Sequence, residues 1–212
     1  MILRAAILSL SALLCGCIIF DQKSEAVVFH QFAAPGAQPS RTVSAGPQLF
    51  IPRASIPSAL RRPNVVLVDD GGWVRIEDAH RWVAPLDRAI PEAVGRHLSA
   101  LTGVVTTTQT PSEDHLVLLL TVDKMEIFAP AGPERSIFSL PGGTDKADNA
   151  TLQLTCRLEK ADGTPISVKT LAQSRPLKDR TPAAFVRAQS ANLAVLSAEI
   201  AKWLPTTAPS SK

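Results

Sequence analysis

The sequence contains only three cysteines, at positions 15, 17 and 156. We expect Cys15 to leave with a signal peptide and Cys17 to carry a lipid, which leaves Cys156 as the one free thiol of the mature chain. An internal disulfide is then impossible, even in an oxidising compartment. Because Cys156 alternates with leucines such as Leu154 and Leu158, we expect it to be a buried thiol without a redox role.

The sequence also lacks the motifs of common catalytic and metal sites. Its four histidines share no metal-ligand spacing (His30, His80, His97 and His115). It contains no H-E-x-x-H, no G-x-S-x-G, no Walker A loop and no dinucleotide-binding fingerprint. The net charge is only +3, and no basic stripe with interleaved aromatic residues points to a nucleic-acid partner. We therefore predict no enzymatic activity and no metal or cofactor site, and expect a binding, tethering or transport role.

Residues 1–16 have the features of a lipoprotein signal peptide. Arg4 is followed by an apolar run over residues 5–14, and ten helical residues rise only about 15 Å, half the thickness of a membrane core. Leu14 and Gly16 supply the branched and the small residue expected three positions and one position before a lipidated cysteine. Cleavage before Cys15 would put Leu14 in a pocket for small residues, and an ordinary secretory signal would need an A-x-A-like triplet. The predicted cleavage site is before Cys17.

We expect Cys17 to carry a diacylglyceryl group and an N-acyl chain, which are the only non-protein groups predicted. About two acyl chains are enough for stable attachment to a membrane. Residues 17–25 would form the lipidated tether, and the last eight of them span at most roughly 26 Å. The folded domain, predicted over residues 26–205, would therefore lie close to the membrane surface. Residues 206–212 are expected to be a disordered tail.

The pattern of apolar residues predicts an α+β fold. Strands are expected at residues 26–32, 49–57, 65–68, 73–76, 115–128, 151–160 and 165–177, with a linker over residues 33–47. Helices are expected at residues 82–101 and 181–204, the second starting with a Thr-Pro cap. This order predicts one mostly antiparallel β-sheet with two helices packed on one face, an α/β sandwich.

Local signals refine this prediction. The Asp-Asp-Gly-Gly sequence at residues 69–72 predicts a hairpin turn, because it lacks the closing glutamate of a calcium loop. Pro91 predicts a kink in the first helix, or a later start, and Gly103 predicts its end. Trp82, at a strand-to-helix junction, is predicted to pack in the core. Trp73, which follows a turn, is a candidate for contact with lipid or with a partner.

Residues 81–87 (Arg-Trp-Val-Ala-Pro-Leu-Asp) resemble the R-W-A-x-P-L signature of the ABC-type transport auxiliary lipoproteins, the PqiC or YmbA family. Residues 62–66, the order of the strands and the end of the last helix at residues 199–205 are also similar, so that the resemblance covers about residues 26–205. Two features depart from the family pattern, the long linker and Pro91.

The resemblance implies an outer-membrane lipoprotein that faces the periplasm and has no catalytic role. Such proteins work with MCE-domain proteins and an inner-membrane permease, with or without an ATPase, in lipid transport that supports envelope integrity. They are thought to form a homo-oligomeric ring that receives the outer end of the MCE tunnel. Only Cys17 carries over as a functional site, whereas Trp82, Pro85 and Leu86 carry over as structure. Ile18 follows the cysteine where an aspartate would retain the protein in the inner membrane, which favours the outer membrane.

Two other hypotheses remain open at this point. The chain could be a stand-alone lipoprotein that binds or assembles an envelope component, which predicts a monomer with an apolar pocket. It could also be a hydrolase, which would require convergent polar side chains in a pocket.

Overall fold

The structure is a computed structural model. It describes residues 25–36, 48–68, 72–111, 115–128 and 148–205. These residues contain the strands β1 (Val28–His30), β2 (Gln48–Phe50), β3 (Asn64–Val68), β4 (Val74–Trp82), β5 (Thr106–Thr107), β6 (His115–Phe128), β7 (Asn149–Lys160) and β8 (Pro165–Pro176). They also contain the helices α1 (Leu86–Thr102) and α2 (Pro182–Trp203) and a 3-10 turn, Ser58–Leu60. The expected α+β class, with helices packed against sheet, is confirmed.

The strands form two sheets where we expected one. A three-stranded sheet has the order β1-β4-β3, and a five-stranded sheet has the order β5-β2-β6-β7-β8. The long strands β6, β7 and β8 pair antiparallel, as expected. In contrast, β1 runs parallel to β4, and β2 runs parallel to both β5 and β6. The expected single sheet is thus divided in two, because the β3–β4 hairpin pairs with β1 and not with a strand of the larger sheet.

Strand β7 shows how the core is built. Every second side chain faces inward and is fully buried (Ala150, Leu152, Leu154, Cys156 and Leu158), as the two-residue period of a strand requires. On the outer face, the Thr155 hydroxyl donates to Asp123 Oδ2 at 2.7 Å and lies 3.0 Å from the Thr170 hydroxyl. The buried leucines share one core with apolar side chains of α2, among them Phe185 and Leu196.

The residues of strand β6 that face the core change half-way along the strand. Leu118 and Val122 face the core in its first half. A register shift between Val122 and Lys124 then inserts an extra residue, so that Met125 and Ile127 face the core in the second half. Such a β-bulge keeps a strand paired while it reverses which residues are buried.

Helix α1 begins at Leu86, four residues later than expected, because β4 continues as far as Trp82. Pro91 lies inside the helix and has no N–H to donate to the carbonyl oxygen of Asp87. That oxygen instead accepts a hydrogen bond of 2.8 Å from the backbone N–H of Ala54. A loop outside the helix therefore satisfies the carbonyl that the proline leaves unpaired.

The predicted stop of α1 and the predicted cap of α2 are confirmed. Gly103 ends α1 in the left-handed conformation, with φ 76°. The Thr181 side chain caps α2 by accepting from the N–H of Ala184 at 3.2 Å, and Pro182 is the first helical residue. In the β7–β8 turn, Gly163 has φ +83°, a value that glycine adopts without strain.

Several predicted segments lie partly or wholly outside the described residues. They are the signal peptide and Cys17, most of the 33–47 linker, residues 69–71 of the predicted turn, and the tail after residue 205. The strands on either side of that turn, β3 and β4, do pair antiparallel as predicted.

Candidate functional site

The functional residue predicted from the sequence, Cys17, lies outside the described residues, which begin at Glu25. The direction in which the chain enters the fold is nevertheless defined. Because β1 is parallel to β4, with Val28 opposite His80, the start of β1 points towards the end of the sheet where β4 begins. That end carries the β3–β4 hairpin, so the described residues just before β1 are on its hairpin side.

Two histidines link β1 to β4. The Nε2 atom of His30 lies 2.8 Å from Nδ1 of His80, and the two rings stack with centroids 5.1 Å apart. Burial lowers the pKa of His30, and the charge of His80 lowers that pKa further. The two histidines are fifty positions apart in the sequence, so their spacing gives no sign of this contact. Only the parallel pairing of β1 with β4 reveals the contact.

The other two histidines lie elsewhere. His97 is buried in α1, and His115 begins β6, with its ring edge-on to Phe50 at 6.0 Å between centroids. Within the described ranges, no group of three or more histidine, cysteine, aspartate or glutamate side chains is arranged to hold a metal ion.

The signature segment joins three parts of the fold. Trp82 is only 4% exposed and stacks on Phe32, with ring centroids 5.1 Å apart. Its backbone N–H donates to Pro63 O at 2.7 Å, and the N–H of Val83 donates to His30 O at 2.9 Å. The segment thereby connects β1, the start of β3 and the entry to α1. The packing role predicted for Trp82 is confirmed.

The β3–β4 hairpin carries apolar side chains on the surface. Trp73 is 80% exposed, Val74 48% and Ile76 41%. We call these three residues the hairpin patch. The exposure expected of Trp73 from its place after a turn is confirmed. The patch is the main apolar surface that the hairpin offers to a partner.

A groove of about 400 Å³ lies beside the patch. It is lined by Leu67, Val68, Trp73, Val74, Arg75, Ile127 and Arg180. Arg75 closes one side, since its guanidinium donates to the backbone oxygen of Arg180 at 3.0 Å and is ion-paired with Glu77. The groove is therefore apolar with a basic margin.

A larger cavity of about 750 Å³ lies between α1 and β5. Its wall includes Pro91, Gly95 and Thr106, and the hydroxyls of Ser99 and Thr106 lie 3.0 Å apart. Glu92, also on the wall, is ion-paired with Arg88 at 2.7 Å. These groups provide hydrogen-bonding contacts, but they do not form a nucleophile with an adjacent base.

Cys156 is fully buried in β7, as predicted. Burial raises the pKa of its thiol to about 12. A thiol with so high a pKa is protonated at neutral pH and unreactive.

Neither α1 nor α2, the helices within the described part of the chain, is long and apolar enough to cross a membrane.

Comparison with known proteins defines the class to which this fold belongs. The model of the family described as the ABC-type transport auxiliary lipoprotein component matches residues 30–201. This match covers most of the chain, and the protein therefore belongs to this family of lipoproteins that assist ABC transport systems. The family assignment made from residues 81–87 is confirmed. A comparison with curated proteins finds no match.

Two solved structures share the fold. A crystal structure of an uncharacterized protein has 17% sequence identity and a TM-score of 0.64, covering 85% of this chain and 99% of that chain. A crystal structure of a protein from Xanthomonas campestris has 16% identity and a TM-score of 0.63, covering 84% of this chain and 94% of that one. At this level of identity, the similarity shows the fold alone.

Proposed function

We propose that the protein is an outer-membrane lipoprotein, anchored through Cys17 and facing the periplasm, that provides a non-catalytic docking site for the MCE tunnel of an ABC-type lipid transport system. The observation that carries this proposal is the family match over residues 30–201, which spans nearly the whole folded domain. The transported lipid would pass along the MCE tunnel, and the system would support envelope integrity.

The position of Cys17, shortly before the folded domain, supports the anchor. Cys17 precedes β1 by eleven residues, so acyl chains on Cys17 would hold the domain against the membrane. Stable anchoring needs about two acyl chains. The diacylglyceryl group and the N-acyl chain expected on Cys17 together provide three. The anchored domain would leave the membrane only with a carrier.

The exposed edge of the larger sheet supports assembly into a ring. β8 is the terminal strand of the five-stranded sheet and is twelve residues long. Val168 is 60% exposed and Ile166 43% on this strand. A long edge strand with apolar side chains is a surface on which another chain can pair. We propose that copies of this protein contact one another there.

A second candidate function is suggested by the 750 Å³ cavity. Its size is within the range of small-molecule sites, so a stand-alone lipoprotein could hold an envelope component between α1 and β5. This alternative predicts a monomer that purifies without an MCE-domain protein. The family match favours the first function, because it places the chain with transport auxiliary components.

The anchor is tested by labelling cells with palmitate and comparing two matched variants. Cys17→Ala should abolish labelling and leave the protein unprocessed or soluble. Cys15→Ala should be labelled and processed like the wild type, because Cys15 would be removed with the signal peptide. Labelling of Cys17→Ala, or loss of labelling in Cys15→Ala alone, would place the anchor elsewhere. Fractionation of the labelled wild type should then recover it with the outer membrane.

A further inference from the structure

We propose that the hairpin patch of Trp73, Val74 and Ile76 inserts into the headgroup region of the membrane leaflet that holds the acyl chains of Cys17. This inference rests on the proposed anchor. It adds a second membrane contact, made by the folded domain itself, and thereby fixes how the domain is oriented on the membrane.

The exposed side chains have the chemistry of a membrane interface. Val74 and Ile76 are two residues apart and lie on one face of β4, opposite Val68 and Val66 of β3. Val66 is buried, so Val74 and Ile76 are the uncovered margin of an apolar face that continues into the core, and Trp73 precedes them at the hairpin end of the strand. Trp73 adds a large ring with one polar N–H, and tryptophan is enriched where membranes meet water.

The direction of the chain places the patch on the membrane side. The start of β1 points towards the hairpin, since Val28 lies opposite His80 in a parallel pair. Trp73 is seven residues before His80, which corresponds to about 23 Å along an extended strand. The eleven residues from Cys17 to Val28 reach at most roughly 36 Å. The tether is therefore long enough to place Cys17 level with Trp73.

Basic side chains lie beside the patch. Arg75 and Arg180 border the 400 Å³ groove, and their side chains are 58% and 40% exposed. Each is ion-paired, to Glu77 and to Asp148 respectively. Arginines next to an apolar tip match the arrangement of phosphates above acyl chains in a bilayer.

The size of the patch also favours lipid over a protein partner. A stable protein interface buries about 800 Å² on each side. Three side chains, of which one is aromatic, provide only part of that area, since a buried aromatic side chain contributes about 150–250 Å². Insertion into an interface already held by acyl chains needs no such area, because the covalent anchor supplies the affinity.

The test uses the lipidated protein reconstituted into vesicles of phosphatidylethanolamine and phosphatidylglycerol. Trp73→Cys introduces a thiol at the patch, and Val195→Cys introduces a control on α2, away from both the patch and β8, where the native side chain is also exposed. Cys156 does not compete for the label, because burial raises its pKa to about 12. Each variant is labelled with a small thiol-reactive fluorophore. Quenching is measured with nitroxide-bearing lipids and with aqueous iodide.

We expect nitroxide lipids to quench the label at position 73 at least about twofold more than the label at position 195. Iodide should show the opposite order. A vesicle-bound protein whose label at position 73 is as open to iodide as that at position 195 would overturn this inference alone. A label shielded from both quenchers, together with disulfide-linked dimers when unlabelled Trp73→Cys is oxidised, would assign the patch to a second copy and also overturn it. A protein that fails to float with the vesicles would overturn the anchor at Cys17, and the inference with it.

Discussion

The two sheets contain similar apolar strands but differ in what covers them. In β7, six of twelve residues are buried, and they include the alternating row from Ala150 to Leu158. In β4, only Trp82 of nine residues is buried, although Val74 and Ile76 are as apolar as the β7 residues. Helix α2 packs on the larger sheet, whereas the start of β4 remains uncovered. An apolar strand thus contributes to the core only where another element covers it.

This difference suggests a division of roles. The larger sheet and α2 account for most of the apolar burial that stabilises folding. The smaller sheet receives the chain from the proposed tether and presents apolar side chains outward. Its surface is therefore available to a membrane, whereas the larger sheet offers another chain its exposed edge, β8.

The largest predicted effect compares two phenylalanines, one from each region. Phe185 in α2 is fully buried, and Phe29 in β1 is 62% exposed. Phe185→Ala should lower the free energy of unfolding by about 3–5 kcal/mol, because it removes buried area and leaves a cavity. Phe29→Ala should lower it by no more than about 0.5 kcal/mol, as expected of a surface position. Urea denaturation of the soluble Cys17→Ala form measures both.

Equal losses of unfolding free energy in the two variants would contradict this comparison of the two sheets. A large loss in Phe29→Ala would mean that β1 is part of the stabilising core. A small loss in Phe185→Ala would mean that α2 does not cover the larger sheet as described.

A smaller predicted effect concerns the pH dependence of the β1–β4 contact. Burial, and then the charge of His80, lower the pKa of His30 below 6.5, so the unfolded chain binds the proton more readily than the folded one. The stability that His30 contributes is therefore full above about pH 6.5 and is lost as the pH falls towards the folded pKa. His30→Gln should reduce the slope of unfolding free energy against pH in this window. Burial also lowers the pKa of His97. His97→Gln should therefore reduce the slope of unfolding free energy against pH independently of His30→Gln.

Identical pH profiles for the wild type and His30→Gln would contradict this account of the histidine pair. If His97→Gln alone flattens the profile, then α1, rather than the β1–β4 contact, carries the pH dependence.

Local signals were sufficient to predict much of the larger sheet and the helix ends. The alternation of leucines predicted β6 with its observed bounds, and Thr181-Pro182 and Gly103 predicted where helices start and stop. These features depend on neighbouring residues, whose spacing is visible in the sequence. The buried state of Trp82 followed from its place at a junction.

Contacts between distant segments could not be predicted in the same way. The parallel pairing of β1 with β4, and with it the histidine contact, joins residues fifty positions apart. The bond from Ala54 to Asp87 O explains how Pro91 is tolerated inside α1, but it comes from a loop more than thirty residues earlier. Nothing in the local pattern of either segment specifies its partner. The division into two sheets has the same cause.

The central claim is that this domain acts by being held at the membrane as a docking partner of a transport system. The most direct measurement is affinity purification of the lipidated protein from solubilised membranes, followed by identification of the MCE-domain protein and its permease. The account predicts that both co-purify with the wild type and that recovery falls sharply with Cys17→Ala. A wild-type protein recovered alone as a monomer, without an MCE-domain protein, would contradict it.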